Sequence, residues 1–249
     1  MFQGFYNLTS GMINQRKNQN VISNNIANSL TPGYKKDRMV SSTFENQMIS
    51  RTGNMDRSSK QNLAESSMFM SATENITNFE QGAFEQTGLN LDFALTDDGF
   101  FQIQTEDGII YTRNGSFIID DEGYIALPDK GRVLGQNGPI YTGTDMILLD
   151  RDGNIIREDT KEIIGRFSIV DFEDKTQLMK EEGSIFTTDA LGIPVEIPIL
   201  HKTLERANVD ALSEITIMME SQRALQSAAQ FLKSYDQLMA KATTEIARV

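Results

Sequence analysis

Cysteine is absent from these 249 residues, which removes disulfides, iron–sulfur clusters, thiolate zinc sites and cysteine nucleophiles at once. Tryptophan is absent as well, and the single histidine, His201, excludes any metal site built from several histidines. No run of about 18 apolar residues occurs, so no membrane-spanning helix is expected. The opening Met1-Phe2-Gln3-Gly4-Phe5-Tyr6 lacks the basic and sustained apolar regions of a cleaved secretory signal. Positive charge is scarce: 23 Lys and Arg against 35 Asp and Glu give a net charge of −12, which argues against a general nucleic-acid binder. No Gly-x-Gly-x-x-Gly, phosphate-loop or Gly-x-Ser-x-Gly motif is found.

The 39% hydrophobic content is enough for a substantial core, in one large domain or two smaller ones. Charge is unevenly spread. Residues 1–60 hold eight Lys and Arg against three Asp and Glu, residues 61–200 nine against 26, and residues 201–249 six of each. The basic arm of one copy could meet the acidic middle of another in a salt-sensitive contact, or the acidic stretch is an ordinary solvated surface.

Two segments have a helical period. From Phe5, the residues Leu8, Met12, Gln15, Gln19, Ile22 and Ile26 follow at spacings of three and four, the seam of a helix that pairs with another. Pro32 cannot continue it, so the helix is expected to stop near Ala27 to Leu30. From Leu204 the alternation returns through Asn208, Ala211, Ile215, Met218, Gln222, Leu225, Ala229, Leu232, Asp236, Met239, Thr243 and Ile246, with no Gly or Pro. A continuous helix there would span roughly 60 Å, about twice the width of a small domain. Its polar members Asn208, Gln222 and Asp236 can fix register and partner choice; an ordinary tertiary helix hairpin is the plainer reading.

Between the helices the texture changes twice. Residues 35–84 are polar, with Ser58-Ser59-Lys60-Gln61-Asn62 offering little to bury, and form an extended connector in which Phe44, Met48 and Ile49 give at most a short ordered piece. Residues 85–200 consist of short β-branched or aromatic runs: Phe100 to Ile103, Ile109 to Thr112, Phe117 to Ile119, Ile147 to Leu149, Ile163 to Val170 and Val195 to Ile199. Turn pairs such as Asp98-Gly99, Asn114-Gly115, Asn137-Gly138 and Asp152-Gly153 punctuate them near every ten residues. The fold class is therefore α+β: long N- and C-terminal helices (1–34 and 201–249) pair as a coiled-coil-like layer around an antiparallel hairpin middle of sandwich or barrel type.

No residue carries a catalytic, cofactor or metal assignment. His201 sits between a strand and a helix, where a lone histidine is ordinarily structural. Asp150-Arg151-Asp152-Gly153-Asn154 fails the calcium-loop pattern, because Ile155 and Lys161 occupy its glycine and bidentate-acid positions, and is read as a hairpin turn. Asp120-Asp121-Glu122 beside Gly123 is turn chemistry more readily than a hydrolytic carboxylate pair.

Three segments carry a family resemblance. Ser23-Asn24-Asn25-Ile26-Ala27-Asn28-Ser29-Leu30-Thr31-Pro32-Gly33-Tyr34-Lys35 closely resembles the N-terminal signature of bacterial flagellar axial proteins. Thr87 to Leu95, Asp98-Gly99-Phe100-Phe101 and Tyr111 to Phe117 are similar to the entry into the β-domain of rod and hook proteins. Leu204-Glu205-Arg206-Ala207-Asn208-Val209-Asp210, with Gln222-Arg223-Ala224-Leu225-Gln226, resembles the C-terminal signature. Departures are mild: Leu89-Asn90 where Asn usually follows Gly directly, Asp98 for a usual Gly, and Leu225 where Tyr is common. One β-middle in 249 residues is the size of the rod class of FlgG and FlgF.

The resemblance implies a structural, non-enzymatic subunit of the flagellar basal-body rod, without cofactor, nucleic acid or small-molecule substrate. It implies a hollow helical homo-oligomer beside other rod and hook proteins, and export by the flagellar secretion channel without cleavage. The assembly interface would comprise Leu8, Met12, Ile22, Ile26, Leu204, Ala211, Ile215, Met218, Gln222, Leu225, Ala229, Leu232 and Met239. The signature positions are Asn24, Asn25, Ala27, Asn28, Thr31, Gly33, Tyr34, Asn208, Gln222 and Arg223. A hook or hook-junction protein of the same family, or a soluble coiled-coil adaptor, would share the helices.

Overall fold

The computed structural model describes residues 2–43, 46–51, 61–67, 71–150 and 153–246. Met1, Phe44, Ser58, Ser59, Lys60, Arg151 and Asp152, named above, lie outside the described residues. The chain divides into two compact units: residues 1–24, 37–76 and 212–249, and residues 25–36 with 77–211.

The first unit holds most of both long helices. Helix α1 spans Phe2–Ala27 and stops where Pro32 requires. Helix α2 spans Ala211–Ile246, 36 residues or about 54 Å. Several of its hydroxyl residues return their side-chain hydrogen bonds to its own backbone, Thr216 to the Leu212 carbonyl and Ser234 to that of Gln230. No described helix is long and apolar enough to cross a membrane.

The covered side of α2 differs in phase from the seam expected above. Ala211, Met218, Leu225, Leu232 and Met239 are half-buried, as expected. The positions between them that turn inward are Glu214, Ser221, Ala228 and Tyr235, while Ile215, Gln222, Ala229 and Asp236 are exposed. Steps of three and four can be taken in either order, and apolar content alone does not choose between neighbouring residues on a 3.6-residue period. On α1, Leu8, Met12 and Ile26 are half-buried and Ile22 is buried.

The helix also begins later than its seam suggests. Ile199–His201 pairs with Phe93–Leu95, and Thr203–Glu205 with Phe84–Gln86. Backbone committed to ladder bonds is unavailable to a helix, so Leu204 is a strand residue and Asn208 lies in the loop before α2. The connector differs as well: within residues 35–84 the strand Asp37–Thr43 pairs with Ser71–Thr77, and Asn46–Arg51 pairs antiparallel with Gln61–Ser67. Polar strands bonded backbone to backbone need little hydrophobic content, which is why composition did not reveal them.

The second unit is an antiparallel β body. Its largest sheet runs in the order Met179–Lys180, Ile185–Thr187, Ile109–Thr112, Phe100–Gln104, Gly131–Gly135, Ile125–Leu127 and Ile118–Ile119. The turn-bounded runs at 100, 109 and 147 appear as strands at those positions. Phe100–Gln104 shows the period of two that fixes its register. Phe101 and Ile103 enter a core with Phe93, Phe117, Ile125, Val133, Ile155 and Phe167, while Phe100 enters a second cluster with Tyr111, Val170, Phe172 and Phe186. This sheet is thus covered on both faces. Residues 147–149 and 154–157 form a hairpin across Asp150, as the turn reading of that segment requires.

Candidate functional site

The three motif segments meet in the second unit. Gly33 has a φ of +67°, and a Cβ there would stand 2.3 Å from the Arg113 carbonyl carbon. Only glycine permits both that backbone conformation and that approach. Its N–H donates to the carbonyl of Glu205 at 2.8 Å. Tyr34 is fully buried and its hydroxyl donates to Oδ1 of buried Asn25 at 3.1 Å. Thr31 donates to Asn28 Oδ1, closing the turn after α1. Asn24 and Ala27, the other signature residues, are exposed.

Lys35 is the centre of the junction. Its ammonium donates to Glu205 Oε1 at 2.7 Å and to the Glu80 carbonyl at 2.8 Å, with both charged side chains about 1% exposed. Glu205 Oε1 also accepts from the Gly82 N–H at 2.9 Å, and Oε2 faces Arg113 Nη1 at 3.4 Å. Arg113 lies 5.5 Å from the Phe100 ring centroid and reaches Asp98 at 3.4 Å, and Asp98 in turn pairs with Lys175 at 2.6 Å. Burial pushes the Lys35 ammonium below its ordinary pKa, opposed by the attraction of Glu205. The Lys175 hydrogen bond holds the more exposed Asp98 carboxyl below its usual range. Gly82 allows the segment to run against the Arg206 carbonyl, which a Cβ would meet at 1.9 Å.

Asn208 completes the junction. Its Oδ1 accepts from the Lys36 N–H at 2.7 Å, its amide donates to the carbonyls of Asn78 and Glu80 at 2.9 Å each, and its own N–H donates to the Tyr34 carbonyl. An asparagine read as a polar seam residue is therefore a tie among three chain segments. Sequence reasoning missed Lys35, Glu205 and Arg113 as partners, although each stood in a quoted motif.

His201 stacks on Phe93, with ring centroids 5.3 Å apart, and its Nε2 lies 2.8 Å from the Asn90 carbonyl. Burial lowers its pKa below 6.5. Asp120 accepts from the N–H groups of Glu122 and Tyr124 and from Arg132, as a turn residue does. Among the described residues no group of three or more His, Asp or Glu could hold a metal ion.

In the first unit, Ser221 Oγ donates to Gln15 Oε1 at 3.0 Å, and Leu8, Met12 and Leu225 line a notch between α1 and α2. Gln222 and Arg223 are exposed.

This geometry ties the residues that follow α1 to those that precede α2. Three family models match the chain in order: a flagella basal body rod protein model over residues 5–35, a flagellar hook protein FlgE/F/G D1 domain model over 94–217, and a flagellar basal body rod FlgEFG C-terminal model over 201–245. The chain is 32% identical to the flagellar basal-body rod protein FlgG of Bacillus subtilis, covering 96% of this chain and 97% of that one. It belongs to the flagellar basal-body rod protein family. FlgF of Caulobacter vibrioides is 28% identical over 94% of each chain. The hook protein FlgE of Borreliella burgdorferi is 30% identical over 53% of this chain and 30% of its own length. The rod protein family is structural, not enzymatic, and the junction at Lys35 is formed by the first and last of its matched segments.

Proposed function

We propose that this chain is a structural subunit of the flagellar basal-body rod, polymerising through its terminal helices into a hollow shaft that transmits torque to the hook. The observation that supports this reading is the apolar surface α2 leaves uncovered: Leu212, Ile215 and Met219 follow at spacings of three and four and are 43% to 77% exposed, and Phe231 and Leu238, on another flank of the helix, are 65% exposed each. Apolar surface of that extent is removed from water when copies pair, which is a stabilising term. Coiled-coil pairing between copies would bury Ile215, Ala229 and their neighbours, and Gln222 and Arg223 would set register. Neighbouring rod and hook proteins, and the flagellar export apparatus acting on an uncleaved chain, are the accompanying partners. Rod placement is favoured over the hook because the match to FlgG extends through nearly its whole length, while that to FlgE covers a minority of it.

The test is location. Basal bodies purified from the native bacterium should contain this protein in the rod, visible by immunogold labelling below the hook, and deletion of its gene should leave cells without a hook. Label confined to the cytoplasm would favour an adaptor, and label on the hook a hook protein.

A further inference from the structure

We infer that Asn137 is a site of spontaneous deamidation in the folded protein, whereas Asn114, which is also followed by glycine, is kept intact by the fold. The chain contains two such pairs, Asn114-Gly115 and Asn137-Gly138. Glycine after asparagine lets the next backbone nitrogen reach the side-chain carbonyl, because no side chain crowds the approach. The Gly138 nitrogen attacks Asn137 Cγ and the N–Cγ bond forms. The proton of that nitrogen passes to the amide, and ammonia leaves as the Cγ–Nδ2 bond breaks. Water then opens the cyclic succinimide. Opening at Cγ leaves an aspartate; opening at the main-chain carbonyl leaves an isoaspartate, whose side-chain methylene has become part of the backbone. Water is the co-reactant, no partner copy is needed, and each event adds a negative charge to the acidic middle of the chain.

The surroundings of the two pairs separate them. Asn137 is exposed in the short loop between Gly131–Gly135 and Gly138–Pro139, where Gly135 faces Gly138 across the hairpin. Among the described residues none hydrogen-bonds its side-chain amide. A Cβ at Gly138 would meet nothing within 4 Å, so the amide can turn toward the Gly138 nitrogen and water can follow. Asn114 has neither freedom. Its Oδ1 accepts from the Ser116 N–H at 2.9 Å, and its own N–H donates to Thr112 Oγ1 at 3.0 Å. Gly115 is buried, its carbonyl accepts from the Phe93 N–H at 3.0 Å, and a Cβ on it would stand 1.7 Å from the Phe93 carbonyl oxygen. Cyclisation there would break these bonds and move backbone against backbone. The base of the reactive loop is pinned on both sides. The Gln136 N–H donates to the Arg166 carbonyl at 3.0 Å, and buried Ile140 donates to the Val133 carbonyl at 3.2 Å and accepts from the Ile125 N–H at 2.9 Å. The longer backbone of isoaspartate is therefore taken up in the loop, and the β body stays folded.

The experiment incubates the full-length protein at mildly alkaline pH in water labelled with heavy oxygen, folded in one arm and in concentrated urea in the other, and follows both Asn-Gly peptides by mass spectrometry. Heavy oxygen marks only sites that react during the incubation. In the folded arm the Asn137 peptide should gain the label at least tenfold faster than the Asn114 peptide, with isoaspartate detected by methylation with a protein isoaspartate methyltransferase. In urea the two peptides should react at similar rates, because the protection of Asn114 belongs to the fold. Asn137→Gln, whose longer side chain would have to close a larger ring, should remove the label from that peptide with the circular dichroism spectrum unchanged. Equal rates at the two sites in the folded chain, an Asn137 peptide that stays unlabelled there, or an Asn114 peptide as slow in urea as in the folded chain would each overturn the inference.

Discussion

Lys35 and Glu205 lie 170 residues apart in sequence and meet at 2.7 Å with about 1% of either side chain exposed. The pair fastens the residues after α1 to those before α2, and Arg113 brings the β body into the same contact. Buried ion pairs are retained at a desolvation cost, so the effect of breaking one depends on what remains unpaired.

Glu205→Gln leaves Lys35 and Arg113 facing each other without the carboxylate between them, and should cost about 3–5 kcal/mol in urea unfolding. Lys35→Met should cost less, because Glu205 keeps the Gly82 N–H and Arg113. The double variant Lys35→Met/Glu205→Gln should fall short of the sum of the singles. Additivity to within about 0.5 kcal/mol would show that the pair is not coupled.

Gly33→Ala combines a left-handed backbone with a clash against the Arg113 main chain, which cannot move aside as a side chain can. A loss of roughly 3–4 kcal/mol is expected. Gly88, with φ of +78° and open space around its missing Cβ, is the control. There Gly88→Ala should cost only about 1–2 kcal/mol, the strain of the left-handed region alone. Equal losses at the two positions would contradict the close-approach argument.

His201 gives a pH dependence of defined sign. Its folded pKa lies below 6.5, so between that lowered value and 6.5 the unfolded chain binds more protons than the folded one. Stability should fall as pH drops through this window and level off below the folded pKa. Urea unfolding of the wild type and His201→Gln from pH 7.5 to 4.5 measures it, and the His201→Gln curve should be flatter near pH 6. Lys35, also lowered, acts in the alkaline range, adding stability as pH rises from its folded pKa toward 10.5.

Leu225 and Ile215 separate folding from assembly. Leu225 is half-buried and lines the notch beside α1, so Leu225→Asp should lower the helical signal and melting temperature of the monomer. Ile215 is 43% exposed, and Ile215→Asp should shift monomer stability by no more than about 0.5 kcal/mol while blocking incorporation into flagella. Normal motility with Ile215→Asp would show that this face is not used between copies.

The helical ends, the turn-bounded hairpins and the ordered motifs were legible because each depends on local chemistry: a period of apolar residues, a proline stop, a glycine after an acid. The half-buried row Met218, Leu225, Leu232 and Met239 was legible for the same reason. Its partner row was not, because Ile215 and Glu214 are equally placed one turn from Met218 and the choice is made by what lies opposite, such as Gln15 against Ser221.

The sequence by itself therefore determined the class of protein, the extent of α1, the start of most β hairpins in the body and the absence of thiol chemistry. Tertiary structure decided the rest. It ended the C-terminal arm's ladder at Glu205 and began α2 at Ala211, made Asn208 a tie among three segments, and enclosed Lys35 with Glu205 and Arg113. Each of these needs partners between 45 and 172 residues away, whose approach no local propensity encodes. A charge in a motif becomes a buried tie only when the fold removes water from around it and supplies the opposite charge.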